Sequence, residues 1–165
     1  MEFALVAVMF FTLLFGIVEM GRFMYLFNTV QEVTRRAARE AVVNWVSQAS
    51  AIQHDAIFRS GETGAATLPG GSEISNAAVN ISYLNQNLIE IPASSLPSSA
   101  QDNVEACLDG DDNCIAYVQA ELCSPNDNGC TPLSYLPMVG LFSYFGVAIP
   151  VSRVIMPAES MGYAP

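Results

Sequence analysis

The sequence predicts an α+β fold: a long N-terminal helix whose second half packs on a small antiparallel β-sheet domain with a disulfide-containing loop region. Three observations predict it. Residues 3–18 carry no charge, and residues 1–58 contain no proline. Beyond residue 58, short strand-like segments alternate with turns rich in Gly, Pro and Ser. Four cysteines fall between positions 107 and 130.

The helix comes first in the chain. After the uncharged run, small or apolar residues recur at Phe23, Leu26, Val30, Val33, Ala37, Ala41, Trp45, Ala49 and Ile52, with Glu32, Arg35, Arg36, Arg39, Glu40 and Asn44 between them. That is a one-sided stripe of 3.6-residue period. Glu32/Arg36 and Arg36/Glu40 are spaced for i,i+4 support. The expectation is one unbroken helix to about Phe58. Its segment 1–27 is apolar and suited to a membrane or a filament core; its segment 28–58 is amphipathic. Gly16 and Gly21 weaken it by only about 1 kcal/mol each.

Residues 59–165 are expected to form a small β-rich domain. SGETGAATLPGGSE reads as loop. AVNISYL (78–84) and LIEI (88–91) read as short strands. Ser99 and Asp102 have the spacing of a helix N-cap box, so a short helix is expected to reach about Cys107. IAYVQAEL (115–122) is ambiguous by period, and its flanking turns favour strand. TPLSYLPMVGLFSYFG (131–146) is apolar and broken by proline. VAIPVSRVIM (147–156) reads as the last strand, with Pro150 placing it at an edge or bulge.

The net charge is −10, from sixteen acids and six arginines, with no lysine. The one basic cluster, Arg35, Arg36 and Arg39, is too small a footprint for a nucleic-acid partner. Cys107, Cys114, Cys123 and Cys130 have gaps too wide for a zinc knuckle. An even count beside an apolar N-terminus reads as disulfides in an oxidising compartment. Cys107–Cys114 with Cys123–Cys130 closes two short turns, LDGDDN and SPNDNG. The nested pairing, Cys107–Cys130 with Cys114–Cys123, remains open at this point.

The opening run admits three readings. A signal peptide would need a basic start and a small-residue cleavage site, and neither is present. A plain membrane anchor needs about 20 apolar residues, which places Glu19 and Arg22 at depth, one turn apart and able to pair. The third reading is a helix held first in a membrane and later in a bundle of its own copies. A helix apolar all round must be covered on every side. Glu2 and Phe3 at its head, with Glu19 and Arg22 at its base, are then the candidate assembly and register residues. A buried, unpaired carboxylate is costly, so it would enforce one register between subunits. The bland alternative for Glu2 is that it sits in water and favours its own helix N-terminus.

The stretch MEFALV, then LLFGIVEMGRFMYLFNTVQEVTRRAAREAV, resembles the N-terminus of TadE-like pseudopilins, in the Tad branch of type IV pilus and type II secretion systems. TPLSYLPMVGLF and VAIPVSRVIMPAES echo the family more weakly; the middle of the chain, with the cysteines, does not align. The resemblance implies a pilin-like fold and a leader clipped by a prepilin peptidase before the apolar run. It implies an inner-membrane stage, partnership with the pilus assembly machinery, and a homo-oligomeric helical filament outside the cell. The alternative is a minor pseudopilin that primes or serves the machine without forming the filament. No cofactor is implied. In type IV pilins the key glutamate is usually fifth in the mature chain; here it is Glu2.

Catalytic signatures are missing: there is no G-x-S-x-G, P-loop or G-x-G-x-x-G. His54 beside Asp55 is expected to be solvated. Asp109, Asp111, Asp112 and Asn113 form an oxygen-rich turn, but the closing glutamate of an EF-hand is missing. Asn80 opens a glycosylation sequon, and Ser94, Ser95, Ser98 and Ser99 are hydroxyls in a polar connection. The enzyme class therefore has no support in the sequence.

Overall fold

The computed structural model describes residues 2–126, 129–138 and 146–162. Helix α1 spans Glu2–Ala41, and it is unbroken through Gly16 and Gly21. With no proline, nothing removes an internal hydrogen bond. The stripe buries as expected: Leu26, Val30, Val33, Ala37 and Ala41 are all in the core.

The expected single helix to Phe58 is corrected by the structure. The chain turns at residues 42–45, makes a short 3-10 turn at Val46–Gln48, and resumes as α2, Ala49–Ala56. Two causes act at the break. The Asn44 N–H makes one further helical bond to the Glu40 carbonyl, at 3.1 Å, but the Asn44 side-chain amide donates to the same carbonyl at 2.9 Å, a local side-chain bond of the kind that competes with helix continuation. The Val42 carbonyl accepts from the N–H groups of Glu159 and Met161, each at 3.2 Å. The C-terminal segment thus satisfies a carbonyl that a continuing helix would have used.

The domain has a three-stranded antiparallel sheet, in the order β3 (Val79–Leu84), β4 (Tyr117–Leu122), β9 (Ser152–Pro157). β4 is central, pairing Val79 with Leu122 on one side and Leu122 with Ser152 on the other. AVNISYL and IAYVQAEL hold as β3 and β4, whereas VAIPVSRVIM, expected as one strand, is divided around Pro150 into two short strands, Ala148–Ile149 and Ser152–Pro157, that belong to different sheets. β9 is at an edge, as Pro150 suggested. LIEI contributes only a bridge, Glu90 with Leu84, because Asn85 closes a tight turn by accepting from the N–H groups of Asn87 and Ile89.

The stretch read as loop contains a hairpin, β1 (Thr67–Leu68) and β2 (Gly71–Ser75), turned at Gly70 with φ +76°. Gly71 lets this hairpin lie on α1: a Cβ there would collide with Cδ2 of Leu26 and sit 3.2 Å from Cδ2 of Leu68. Helix α3, Ala100–Asp109, starts where expected, with the Ser99 hydroxyl accepting from Asp102 N–H at 3.1 Å. Gly110, at φ +76°, ends it.

The cysteines pair as Cys107–Cys114 and Cys123–Cys130, with Cα separations of 4.8 and 5.4 Å. The second bridge joins Cys123, just before β5 (Ser124–Asn126), to Cys130 within β6 (Gly129–Thr131), and the two strands pair antiparallel. β7 (Leu133–Ser134) pairs with β8 (Ala148–Ile149). Of the segment 131–146, residues 139–145 lie outside the described residues.

Two clusters make the core. The lower joins Leu26, Val30 and Val33 to Leu68, Ile74 and Leu122. The upper joins Ala41 and Val42 to Ile52, Tyr83, Val118 and Met161. The Tyr83 hydroxyl is buried without a partner among the described residues, and burial pushes its pKa up to about 12.

Candidate functional site

α1 changes character along its length. Over residues 3–18 nearly every side chain is exposed, although most are large and apolar; Phe3, Phe10, Phe11, Leu13 and Ile17 are examples. The helix is long and apolar enough to cross a membrane. From Glu19 onward one face is covered by the domain.

The change occurs at one polar cluster. Glu19 is 8% exposed although it carries a carboxylate. Its side chain accepts from the Tyr135 hydroxyl and, at 3.2 Å, from Met138 N–H. Arg22 Nη1 lies 3.6 Å from Glu19 Oε1. The main partner of Arg22, however, is Glu73, which takes two hydrogen bonds from Nη2 at 2.6 and 2.8 Å. Arg22 Nη1 also donates to the Leu136 carbonyl at 2.8 Å, and the guanidinium lies over the Tyr135 ring, 5.1 Å from its centroid. Glu73 accepts once more, from Leu136 N–H at 3.1 Å.

The result is a clasp in which β2 and the segment after β7 close on the helix. The side chain of Glu73 is 1% exposed. Burial, then the bond to Glu19, raises the pKa of Tyr135, so its hydroxyl stays a donor at neutral pH. Phe23 packs edge-on against Tyr135, at 5.4 Å between centroids. An apolar cleft of about 330 Å³ opens beside the cluster, between Gly16, Met20, Phe23, Pro137 and Val147.

The structure joins two of the sequence-derived assembly residues, Glu19 and Arg22, in one site. Glu2 and Phe3 lie far along the arm, exposed, with Glu2 in the first helical turn. Sequence reasoning missed Glu73 and Tyr135. Glu73 sat in a stretch read as loop; Tyr135 lies in the apolar TPLSYLP segment, whose weak family echo was the available signal.

Residues 1–39 match the family model for TadE-like protein. The match covers α1 almost to its end and includes Glu2, Glu19 and Arg22. No curated protein and no solved structure matches the chain. The matched helix and the α+β domain clasped to it fit a pilin-like, pilus-associated protein with a membrane or cell-surface location.

Other sequence candidates are now placed. His54 is not solvated as expected: it is 3% exposed, with ring nitrogens 2.8 Å from the Ser50 carbonyl and 2.9 Å from the Gly64 carbonyl. Two carbonyl partners favour a doubly protonated ring, which raises its pKa. Arg36 pairs with Glu40 at 3.2 Å, and Arg35 and Arg39 are exposed. Asp109, Asp111 and Asp112 are exposed around the turn that follows α3. Asn80 lies on β3, and the Ser98 hydroxyl donates to Asp102. Glu121 lies near Cys123 and Cys130. Their sulfurs are joined to each other, and Glu121 bonds Arg153 at 2.9 Å, so that group offers no thiolate to a metal.

Proposed function

We propose that this chain is a structural pilin-like subunit that assembles through α1 into an extracellular filament. One observation carries the reading: the arm over residues 3–18 is apolar on all sides and uncovered by its own domain, while the rest of the same helix is clasped. An apolar surface of that size needs cover. A bilayer supplies it before assembly, and the arms of other copies supply it afterwards. Glu2 sits at the far end of the arm, where burial among neighbours makes its position matter. The path runs from the inner membrane, after a prepilin peptidase has acted, through the pilus assembly machinery to the cell surface.

A second reading keeps the membrane stage and drops the polymer: a minor pseudopilin that primes or serves a Tad or type II secretion machine. The closure of the clasp favours it, because Glu19 and Arg22 already have partners within the chain and need none from a neighbour.

Electron microscopy of material sheared from cells producing wild-type or Glu2→Ala protein tests the proposal. Filaments are expected from wild type, with a sharply lower yield from Glu2→Ala whose domain still folds. Wild-type protein recovered solely as a detergent-bound monomer would favour the second reading. Normal yield from the variant would remove the register role of Glu2.

A further inference from the structure

The arm is too short to cross a membrane alone. Sixteen residues at helical rise cover about 24 Å, and the hydrocarbon core is about 30 Å thick. The shortfall of about 6 Å corresponds to roughly four more residues, which are residues 19–22. Those are the residues of the clasp. A helix seated to full depth therefore brings the foot of the globular domain against the lipid.

That foot is built for lipid rather than for water. Leu136 is 58% exposed and Met138 is 77% exposed. Both stand at the level of the clasp: the Leu136 carbonyl bonds Arg22, and Met138 N–H bonds Glu19. The charges that would make immersion costly are turned inward. Arg22, Glu73 and Glu19 spend their polar atoms on one another, on Tyr135 and on the backbone. Two carboxylates against one guanidinium leave a single net negative charge, and with each charged group hydrogen-bonded behind apolar side chains the cost of bringing it beside the bilayer is lowered. Tyr25, about one turn further along, is half-exposed and donates its hydroxyl to the Pro69 carbonyl at 3.0 Å, a placement that suits an aromatic at headgroup level.

We propose that Leu136 and Met138 form a second, shallow membrane contact that seats the domain foot in the headgroup–acyl boundary and makes up the length the arm lacks. The partner is a lipid bilayer. The inference rests on the membrane stage of the proposed function and adds to it a defined depth and a residue-level contact.

The test uses full-length protein in phosphatidylcholine vesicles. In a Trp45→Phe background, which removes the single tryptophan, Met138→Trp supplies a depth probe; Leu136→Trp is the second, independent probe. Near-UV circular dichroism checks the fold of each. A blue-shifted emission is expected, with most of it lost when the lipids are brominated near the headgroup and less when they are brominated near the bilayer centre. Trp45 in the unmodified protein, beyond the clasped part of the helix, is expected to keep its emission. If the protein resists extraction from vesicles but both probes emit as in water and escape quenching, this inference is overturned while the arm still spans. If the protein does not enter vesicles, the membrane stage fails and this inference fails with it.

Discussion

The two halves of α1 share a backbone, a family match and a helical period, yet they meet different surroundings. Residues 3–18 use large apolar side chains on every face, and the domain covers almost none of them. Residues 23–41 keep apolar side chains on one face, where small residues such as Ala37, Ala38 and Ala41 let the sheet approach. The helix continues where the domain no longer covers it, whereas the direction in which the arm leaves the domain is fixed where that cover begins. Glu19 and Arg22 set that direction, because their partners come from two segments far away in sequence.

The strongest way to break the comparison is to open the clasp. Arg22→Met removes the cation from Glu73 and leaves a buried carboxylate unpaired, a change that costs about 3–5 kcal/mol. Urea unfolding in detergent, followed by near-UV circular dichroism, should show that loss, while the helix signal of the arm persists. A loss under about 1 kcal/mol would mean that apolar packing above the clasp holds the domain to the helix.

A smaller effect sharpens the contrast with two glycines. Gly71→Ala must displace Leu26 or Leu68, and overpacking of this kind costs about 1–3 kcal/mol. Gly21→Ala adds a Cβ with nothing within 4 Å and should stabilise the helix by up to about 1 kcal/mol. Denaturant midpoints of the two variants should therefore move in opposite directions.

The smallest effect is a pH dependence behind the clasped half. Between Glu2 and Glu19 the arm has no titratable group, so pH acts elsewhere. His54 ties α2 to Gly64, near Asp55 and Glu62, and its folded pKa lies above 6.5. Its contribution to stability is complete below 6.5, and it is lost as pH rises through the raised folded value. Melting temperatures measured across neutral to alkaline pH should fall less steeply for His54→Gln than for wild type.

Much of this was legible in the sequence, for identifiable reasons. Periodicity disclosed α1, since an apolar stripe and an uncharged run depend on local spacing alone. The Ser99 cap, the β4 strand and the short-loop cysteine pairing likewise rest on neighbours close in the chain. The β1–β2 hairpin was missed because Gly71 is required by Leu26, which lies 45 positions away. The helix break was missed because half its cause is a carbonyl taken by Glu159 and Met161.

By itself, then, the sequence determined a long helix with an uncovered apolar head, a small β-rich domain behind it, and an acidic net charge of −10. Tertiary structure alone decided where the helix stops, that His54 is buried, and that Glu19 and Arg22 are satisfied within one chain by Glu73, Tyr135 and Met138. The physical reason is range. Helical period and short-loop closure are set within a few residues, whereas the burial of a charge is decided by whichever distant segment brings it a partner.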